Sequence, residues 1–246
     1  MKIIAILRMA ADSGYPIRIE DGQVRPDSLR PVLNPFDEAA LAKAVALRAE
    51  DDRRTVMAIL IAPPGHDSLL HRAFALGAQR VLQLSAAPAW EPIDYARRLR
   101  PVLQQEQPAL ILIGREVLGD DRGDTGAMLA ALLDCSFASA ASGLQLGDDE
   151  AVACCETADG DEDIALTLPA VVSAELALAT PRYVTLMELA AARKKPVERV
   201  ADAMANAPST LTTLALNPVA PRPRGVLLNN IAELAAILRT ELGASS

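Results

Sequence analysis

The sequence predicts an α/β fold in which a parallel sheet carries helices on both faces. The first observation is a set of four short apolar runs with the composition of strands buried on both faces: Lys2 to Leu7, Val56 to Ala62, Arg80 to Leu84 and Ala109 to Ile113. The second is that segments with helical periodicity lie between these runs. Because strands that alternate with such helices form parallel sheets with right-handed crossovers, the predicted class is Rossmann-like.

Three helices are predicted between these strands. The first begins at the start signal Asn34-Pro35 and carries Asp37 and Glu38 in its first turn, where acidic side chains suit the helix dipole. The second helix ends at Gly77, and the third covers residues 92–107. Each predicted helix therefore connects two predicted strands, as the fold class requires.

The second half of the chain follows a different pattern. Residues 151–178 alternate apolar and polar side chains and contain Asp159-Gly160, which is a strong hairpin signal. We therefore expect an added antiparallel hairpin region at one edge of the sheet.

The last part of the chain has the composition of an arm. From Ala201 it is rich in Ala, Pro and Thr, residues 217–225 form a Pro-rich linker, and residues 229–243 have an amphipathic helical pattern. Such a tail packs poorly on its own, so we expect it to lie on a partner. The predicted domains are an α/β domain over residues 1–200 and a C-terminal arm over residues 201–246.

Composition limits the classes of partner. A chain of 246 residues with 51% hydrophobic residues can bury a large core. A net charge of −8 argues against a nucleic-acid surface, because phosphate binding needs a basic footprint. The N-terminus is charged too early for a signal peptide, and the sequence contains no long uncharged apolar run. We expect a cytoplasmic protein without direct membrane insertion, whose partners are small molecules or proteins.

Cysteine and histidine positions give no sign of catalytic or metal chemistry. Cys135, Cys154 and Cys155 lack CxxC spacing, which favours reduced, mostly buried thiols. His66 and His71 are five residues apart and do not share a helical face, so we expect solvated helix positions. No catalytic residue and no metal site is predicted.

The best candidate for ligand binding is the loop Asp120 to Gly126, which follows the fourth strand and leads into a helix. Ligands of α/β sheets bind at the carboxyl ends of strands. Gly123 allows close backbone approach, and Thr125 can hydrogen-bond a phosphate oxygen at the helix N-terminus. The alternative is a helix cap in which Asp124 or Thr125 satisfies the first amides. The Asp124 carboxylate repels phosphate unless a cation or Arg122 offsets it.

Several segments together resemble the β subunit of electron transfer flavoproteins, in order and over nearly the whole chain. The most specific is the PAVV…PRY…L…KKP pattern within residues 169–196. The others are NPFDEAALAKAVAL, RAFALGAQRVLQL, DDRGDTGAMLAALL and PRPRGVLLNNIAELAAIL.

The resemblance implies an α/β nucleotide-binding domain that pairs with an α subunit. In this family the α subunit holds most of the redox FAD, and the β subunit usually buries a structural AMP. The matching positions for the AMP pocket are Ala5, Asn34, Ala62, Asp120, Gly123, Asp124 and Thr125.

The nucleotide positions depart from the family pattern. The family commonly has Asn and Gln at the positions of Gly123 and Asp124, Gly at that of Ala62, and Lys at that of Leu7. An electron-bifurcating branch binds a second FAD in the β subunit. Its loop is closer to Asp-Gly-Asp-Thr-Ala-Gln-Val-Gly, whereas Thr125-Gly126 matches the AMP-binding branch.

The resemblance also implies a partner-recognition loop near residues 181–196. A family leucine that inserts into a pocket of partner dehydrogenases matches Leu186, and Met187 and Leu189 lie beside it. One exposed apolar anchor with polar surroundings suits a weak, fast-exchanging complex. The alternative is that Leu186 and Leu189 form one apolar face of a helix that runs to Lys195.

Two further positions are implied by resemblance. Glu156 matches a glutamate that positions the mobile flavin domain, and Tyr15 lies in the loop that approaches the flavin from the β side.

The predicted function is that of an electron carrier subunit without substrate turnover of its own, which receives electrons from a flavin-dependent dehydrogenase. The cofactor does the redox chemistry, and the protein shapes its surroundings and chooses its partner. A stand-alone adenine-nucleotide-binding or sensing module of the same fold is one alternative. Another is an enzyme that holds Mg²⁺ on ATP through Asp120, Asp121 and Asp124, although the phosphate cradle of such enzymes is missing.

Overall fold

The computed structural model describes residues 1–25, 28–86, 91–202, 213–220 and 225–241. Its strands are β1 (Lys2–Leu7), β2 (Met9–Ala11), β3 (Ile19–Glu20), β4 (Gln23–Val24), β5 (Pro31–Leu33), β6 (Thr55–Ala62), β7 (Arg80–Ser85), β8 (Leu110–Gly114), β9 (Ser136–Leu146), β10 (Glu150–Thr157), β11 (Gly160–Thr167), β12 (Ala170–Ala174) and β13 (Glu198–Ala201). Its helices are α1 (Pro35–Glu50), α2 (Asp67–Leu76), α3 (Pro92–Glu106), α4 (Thr125–Leu133), α5 (Leu186–Ala192) and α6 (Ile231–Glu241), with a short 3-10 helix at Leu176–Leu178.

A nine-stranded sheet forms the centre of the fold. Its strand order is β11-β10-β9-β12-β8-β1-β6-β7-β13, and the strands from β9 to β13 in that order run parallel. The strands β10 and β11 pair antiparallel at one edge, with Thr157 opposite Gly160 across a two-residue turn. The predicted α/β class, the parallel sheet and the edge hairpin are therefore confirmed.

The prediction that the whole of residues 151–178 is antiparallel is wrong at β12. This strand lies inside the sheet between β8 and β9 and runs parallel to both. All five of its residues are buried. A continuous buried run is typical of a central parallel strand, and this explains why β12 departs from the alternating pattern around it.

Both faces of the sheet are covered by helices. The helices α1 and α2 pack on one face through residues such as Leu41 and Leu70, and α3 and α4 pack on the other through residues such as Leu99 and Leu129. The strand β1 is buried on both sides, since Ile3, Ala5 and Leu7 face the first cluster and Ile4 and Ile6 face the second. The prediction of helices on both faces is confirmed.

Small elements extend the carboxyl edge of the sheet. The strands β2 and β5 pair antiparallel, and the two-residue strands β3 and β4 form a separate pair. Asp21 and Gly22 connect β3 to β4 with positive φ angles of 52° and 71°. Positive φ at both central residues is the geometry of a two-residue hairpin turn.

The C-terminal arm differs from the rest of the chain in its exposure. Residues 213–220 are exposed and irregular, and the helix α6 follows at residues 231–241. The Asn230 side chain accepts a hydrogen bond from the Glu233 amide at 2.9 Å, so the first turn of α6 is capped locally. Within the described part of the chain, no helix is long and apolar enough to cross a membrane.

Candidate functional site

The candidate ligand site lies at the carboxyl ends of β1 and β8. The strand β1 pairs with β6 on one side and with β8 on the other, so the order of the strands reverses between β1 and β8. Open α/β sheets bind ligands at such a switch point. The first turns of α1 and α4 both lie next to the end of β8: a Cβ at Gly114 would meet Phe36 and Asp37 of α1, and Gly126 of α4 lies against Ile113.

A buried ion pair occupies this switch point. Arg8 and Asp37 are 1% and 0% exposed, and the Arg8 Nη2 and Asp37 Oδ1 atoms are 2.7 Å apart. The Arg8 guanidinium also donates to the Gly114 carbonyl at 2.6 Å and the Glu116 carbonyl at 3.2 Å. Sequence reasoning missed this pair because it assigned Asp37 to the helix dipole. The signal that could have found it is an arginine directly after a buried strand, which needs an acidic partner.

Gly114 is required by the close approach of α1 to β8. Its amide donates to Asp37 Oδ1 at 2.7 Å, and a Cβ at this position would lie 2.4 Å from the same oxygen and 2.7 Å from the Asp37 amide nitrogen. Any larger residue would push α1 away from the end of β8 and disturb the ion pair.

The Asn34 side chain is hydrogen-bonded to the loop that follows β8. Its Nδ2 atom donates to the Glu116 carbonyl at 2.7 Å, and its Oδ1 atom accepts from the Leu118 amide at 3.1 Å. The Asn34 side chain is fully buried and does not cap α1. Ala5 and Ala62 are also fully buried in the core. A ligand can therefore meet these three positions only if it reaches the backbone at the end of the sheet.

The polar loop presents carboxylates rather than a basic cradle. Asp120 is exposed and pairs with Arg122 at 3.1 Å, and its amide and that of Asp121 donate to the Val117 carbonyl at 3.0 Å. Asp124 is exposed and occupies the N-cap position of α4, but its side chain makes no capping hydrogen bond. The alternative in which the Asp124 side chain caps α4 is therefore wrong.

Two other loop residues lie deeper. Thr125 is the first residue of α4 and is 2% exposed, and Gly123 is half-buried with the Arg115 carbonyl 3.1 Å from where its Cβ would stand. Asp120, Gly123, Asp124 and Thr125 thus share the loop and first helical turn that follow β8, the strand whose Gly114 carbonyl accepts a hydrogen bond from Arg8.

The two positions that the resemblance relates to the flavin, Tyr15 and Glu156, lie at separate places on the carboxyl side. The Tyr15 ring is 43% exposed, and the Arg30 guanidinium stacks 3.7 Å from its centroid. Glu156 is exposed near the end of β10, opposite Asp161. The pKa of Arg115 is raised by its hydrogen bond to Glu175, and the Glu156 carboxylate adds to that effect.

The predicted recognition segment forms an exposed tip, which we define as residues 182–192. Leu186 and Met187 are 85% and 84% exposed, and Tyr183, which sequence reasoning missed, is 88% exposed. Leu189 packs inward against the core. Leu186 and Leu189 therefore do not share one apolar face. The helix α5 also ends at Ala192, so the alternative of a helix running to Lys195 is wrong.

A local cap and an anchor hold the tip in place. Thr185 and Glu188 form a capping box at the start of α5, and Arg182 pairs with Glu188 at 2.5 Å. The Arg182 guanidinium also donates to the Ala75 carbonyl of α2. These hydrogen bonds, from the Thr185 backbone first and then from Arg182 and the Thr185 hydroxyl, lower the pKa of Glu188 to about 2.

One of the basic residues after α5, Lys195, packs against an aromatic ring. The Lys195 ammonium lies 5.1 Å from the centroid of the Phe74 ring on α2. A cation over an aromatic face is attracted to the ring. The Arg182 bond to Ala75 attaches the start of the tip to α2, and the Lys195 contact attaches the segment that follows the tip to the same helix.

The three cysteines are free thiols. Cys155 is buried, as predicted for these thiols. Cys135 and Cys154 are only half-buried. Burial is the main cause that raises the pKa of each thiol above its usual value. The thiols therefore stay protonated at neutral pH, which is the unreactive form.

A crevice of about 470 Å³ opens at the opposite edge of the sheet, where β8 and β12 begin. Its lining includes Leu103, Ile111, Cys135 and Pro169. None of the predicted ligand residues contributes to it.

Comparison with known proteins gives a consistent result. A family model described as the electron transfer flavoprotein domain matches residues 24–205. The chain is 32% identical to the electron transfer flavoprotein subunit beta of Bradyrhizobium diazoefficiens over 99% of both chains. It is 30% identical to that of Homo sapiens, over 99% of this chain and 98% of the relative. The mitochondrial subunit of Arabidopsis thaliana is also 30% identical, over 98% of each chain.

These matches confirm the resemblance that the sequence motifs predict. The family model covers the polar loop, the tip and every strand of the nine-stranded sheet except β1, and the relatives cover β1 and the arm as well. The chain belongs to the electron transfer flavoprotein β-subunit family.

Proposed function

We propose that this chain is the β subunit of a heterodimeric electron transfer flavoprotein. It shuttles electrons from a flavin-dependent dehydrogenase through FAD that is held mainly by an α subunit, and it turns over no substrate itself. FAD supplies the redox chemistry, and this chain contributes a partner surface and part of the flavin's surroundings. The observation that carries the proposal is the arm, whose apolar side chains this chain leaves uncovered.

The arm suits an α subunit that it can lie across. Leu214, Val219, Leu227 and Ile231 are each more than 80% exposed. Large exposed apolar surfaces mark protein interfaces, and a partner that covers these four side chains removes them from water. We place the boundary near residue 201, where β13 ends, so residues 1–200 form the nucleotide-binding domain and residues 201–246 form the partner-binding arm.

The tip suits a second, transient partner. Leu186 and Met187 project from a capped and anchored helix, and Tyr183 projects from the segment just before it, so the two helix side chains are fixed before a dehydrogenase arrives. A small preformed anchor gives useful affinity without a large interface, which allows fast exchange. Leu189, which packs inward, contributes by holding α5 against the core.

The candidate ligand site fits a structural AMP in part. The side chain of Asp124 leaves the first amides of α4 without a cap, and such amides bind phosphate. Gly123 and Thr125 lie beside them. Ala62 is the last residue of β6, Asn34 immediately precedes α1, and Ala5 lies inside β1. The exposed carboxylates of Asp120 and Asp124 oppose an anion. A phosphate therefore needs a cation at this edge.

The remaining assignments belong to the same proposal. Tyr15, with its ring held under Arg30, faces the flavin of the α subunit, and Glu156 helps to position the α-subunit flavin domain. The cytoplasmic location expected from composition is also part of it. The proposal includes neither a nucleic-acid partner nor insertion into a membrane.

The test is co-expression with an α subunit from the same organism, followed by denaturing release of bound nucleotides and measurement of their identity and stoichiometry. One FAD and one AMP per α–β complex support the proposal. Two FAD would assign the chain to the bifurcating branch. A chain that does not associate with α and binds only ATP would favour a sensing module instead.

A further inference from the structure

The strand β13 is the edge strand from which the arm continues, and it buries none of its own residues. It pairs with β7 from Glu198 to Ala201, and all four of its residues are exposed. Its largest apolar side chain, Val200, is 40% exposed. The strand β7, in contrast, has four consecutive buried residues. Burial of its side chains therefore does not explain why this segment pairs with β7.

The start of β13 is held by a bidentate ion pair between Glu198 and Arg80. The Arg80 guanidinium donates to the two Glu198 carboxylate oxygens at 2.8 and 2.7 Å. It also donates to both carboxylate oxygens of Glu106 at 3.1 Å. Arg80 is the first residue of β7, and Glu106 is the last residue of α3. This network therefore connects the start of β13 to the sheet and to a helix that covers it.

The second residue of β13, Arg199, is held by two side chains. Its Nη2 atom donates to Asp67 of α2 at 2.7 Å, and its Nε atom donates to Gln83 Oε1 of β7 at 3.1 Å. Gln83 is 1% exposed, and its Nε2 atom donates to the carbonyls of Ala62 and Pro63 at 3.2 and 3.1 Å. Gln83 is thus fixed in the orientation that presents its oxygen to Arg199.

A third ion pair follows directly after β13. Arg98 of α3 donates to the Asp202 carboxylate at 2.9 Å, and the two side chains are 14% and 3% exposed. The charges at residues 198, 199 and 202 are therefore negative, positive and negative. Each of them faces a side chain of opposite charge on β7, α2 or α3.

This charge pattern matches one register of β13 on β7. A shift of one residue in one direction would bring Arg199 to the place of Glu198, beside the positive Arg80. A shift in the other direction would bring Glu198 to the place of Arg199, beside the negative Asp67. Like charges at neighbouring positions destabilise strand pairing, so both shifts are disfavoured.

We propose that β13 is an electrostatic latch, in which the charges of residues 198, 199 and 202 fix the strand on β7 and set where the arm leaves the domain. The inference rests on the proposed role of the arm, which begins where β13 ends. A fixed starting point reduces the conformational freedom that the arm loses when it covers the α subunit. The pairs Arg80–Glu198 and Asp67–Arg199 are exposed. Salt therefore weakens the latch while the apolar core stays folded.

The test is hydrogen exchange of the full chain, followed by mass spectrometry of peptides that cover β13 and β6. The screening length of charges falls from about 10 Å in 0.1 M NaCl to about 3 Å in 1 M NaCl. After correction for intrinsic exchange, the amides of β13 should exchange about 3- to 10-fold faster at the higher salt concentration. The amides of β6, inside the sheet, should not change.

The main variant is Glu198→Gln combined with Arg199→Gln, which removes one charge of each sign and keeps the net charge of the chain. Its β13 amides should exchange in 0.1 M NaCl about as fast as those of the wild type in 1 M NaCl. Its association with the α subunit should weaken several-fold, because the arm then starts from a free segment. Arg199→Lys keeps the charge and should retain the salt dependence.

The matched control is Arg53→Gln combined with Asp148→Asn. It also removes one charge of each sign from an exposed pair, whose atoms are 3.2 Å apart, and neither residue contacts β13. The control should exchange at the wild-type rate in β13 and should associate normally with the α subunit.

The outcomes separate the latch from the proposed function. Exchange of β13 that responds neither to salt nor to the double variant, or that rises equally in β6, would overturn the latch. Faster β13 exchange with unchanged association would overturn its role in positioning the arm. A wild-type chain that does not associate with the α subunit would overturn the proposed function, and the exchange rates would still decide whether the latch exists.

Discussion

The helices α1 and α6 have similar apolar patterns and opposite surroundings. In α1, the side chains of Leu41, Ala44 and Leu47 are fully buried against the sheet. In α6, Ile231 is 84% exposed and Leu234 is 44% exposed. An amphipathic pattern therefore specifies a helix and an apolar face, but not which surface will cover that face.

The tip at residues 182–192 is a third case. It belongs to the packed part of the chain, yet it exposes Leu186 and Met187 while Leu189 packs inward. Its first turn is fixed by the Thr185–Glu188 capping box rather than by burial. The packed domain, the arm and the tip therefore differ in what fixes them, and substitutions should separate the three.

The largest effect is expected in the arm, for Leu234→Asp combined with Leu238→Asp. Each leucine is about half exposed, and full burial of a leucine contributes about 1.5–3 kcal/mol, so covering the exposed half contributes about half of that, while an aspartate adds the cost of burying a charge. Association with the α subunit should weaken by at least about 100-fold, measured by co-purification and analytical ultracentrifugation. Arg239→Ala on the same helix is the control and should assemble normally. Normal assembly of the double variant would remove the arm from the interface.

The next effect is expected at Gly114, in the packed domain. Gly114→Ala places a Cβ 2.4 Å from Asp37 Oδ1 and 2.6 Å from Phe36 Cβ, so the complex should lose about 3 kcal/mol of unfolding free energy. The urea midpoint measures this loss. Gly225→Ala in the arm is the contrast, because its Cβ would meet nothing within 4 Å and the midpoint should not move. A tolerated Gly114→Ala would contradict the tight approach of α1 to β8.

A third effect is expected at the tip. Leu186→Ala should lower kcat/KM for electron transfer from the cognate dehydrogenase about tenfold or more, while assembly and stability are unchanged. Leu189→Ala is the matched comparison, since that side chain packs on the core, and its main effect should be a lower urea midpoint. If the two substitutions had the same effects on kcat/KM and on the urea midpoint, Leu186 would not be a partner anchor distinct from the packed Leu189.

Much of this fold was predictable because local patterns dictate it. The strands β1, β6, β7 and β8 are continuous apolar runs, α1 has a clear start at Asn34-Pro35, and Asp159-Gly160 marks the edge hairpin. The strand β13 could not be read from Glu198–Ala201, because its four exposed residues become a strand only by pairing with β7.

The site was predictable only in part. Its loop could be located, since it follows β8 and precedes a helix. The contacts of its supporting side chains could not, because Asn34, Asp37 and Gly114 meet Arg8 and the loop across long sequence separations. The exposure of Tyr183 depends in the same way on how α5 lies against α2.

The smallest effect is a pH dependence of the tip. The pKa of Glu188 is lowered from 4.5 to about 2 by the Thr185 backbone, Arg182 and the Thr185 hydroxyl. A carboxyl whose pKa is lowered in the folded state stabilises it above the unfolded pKa and loses this effect as pH falls. The amides of α5 should therefore exchange faster as pH falls from about 4.5 towards 2, after correction for intrinsic exchange. Glu188→Gln should remove this dependence, and an identical pH profile in the variant would contradict the role of the carboxylate.

The central claim is that the arm and the tip are exposed for two different partners. Hydrogen exchange of this chain, alone and with the α subunit, tests it most directly. We predict that the amides of α6 become protected in the complex while those of the tip exchange at unchanged rates. Unchanged exchange in α6, or protection of the tip by the α subunit, would contradict the account.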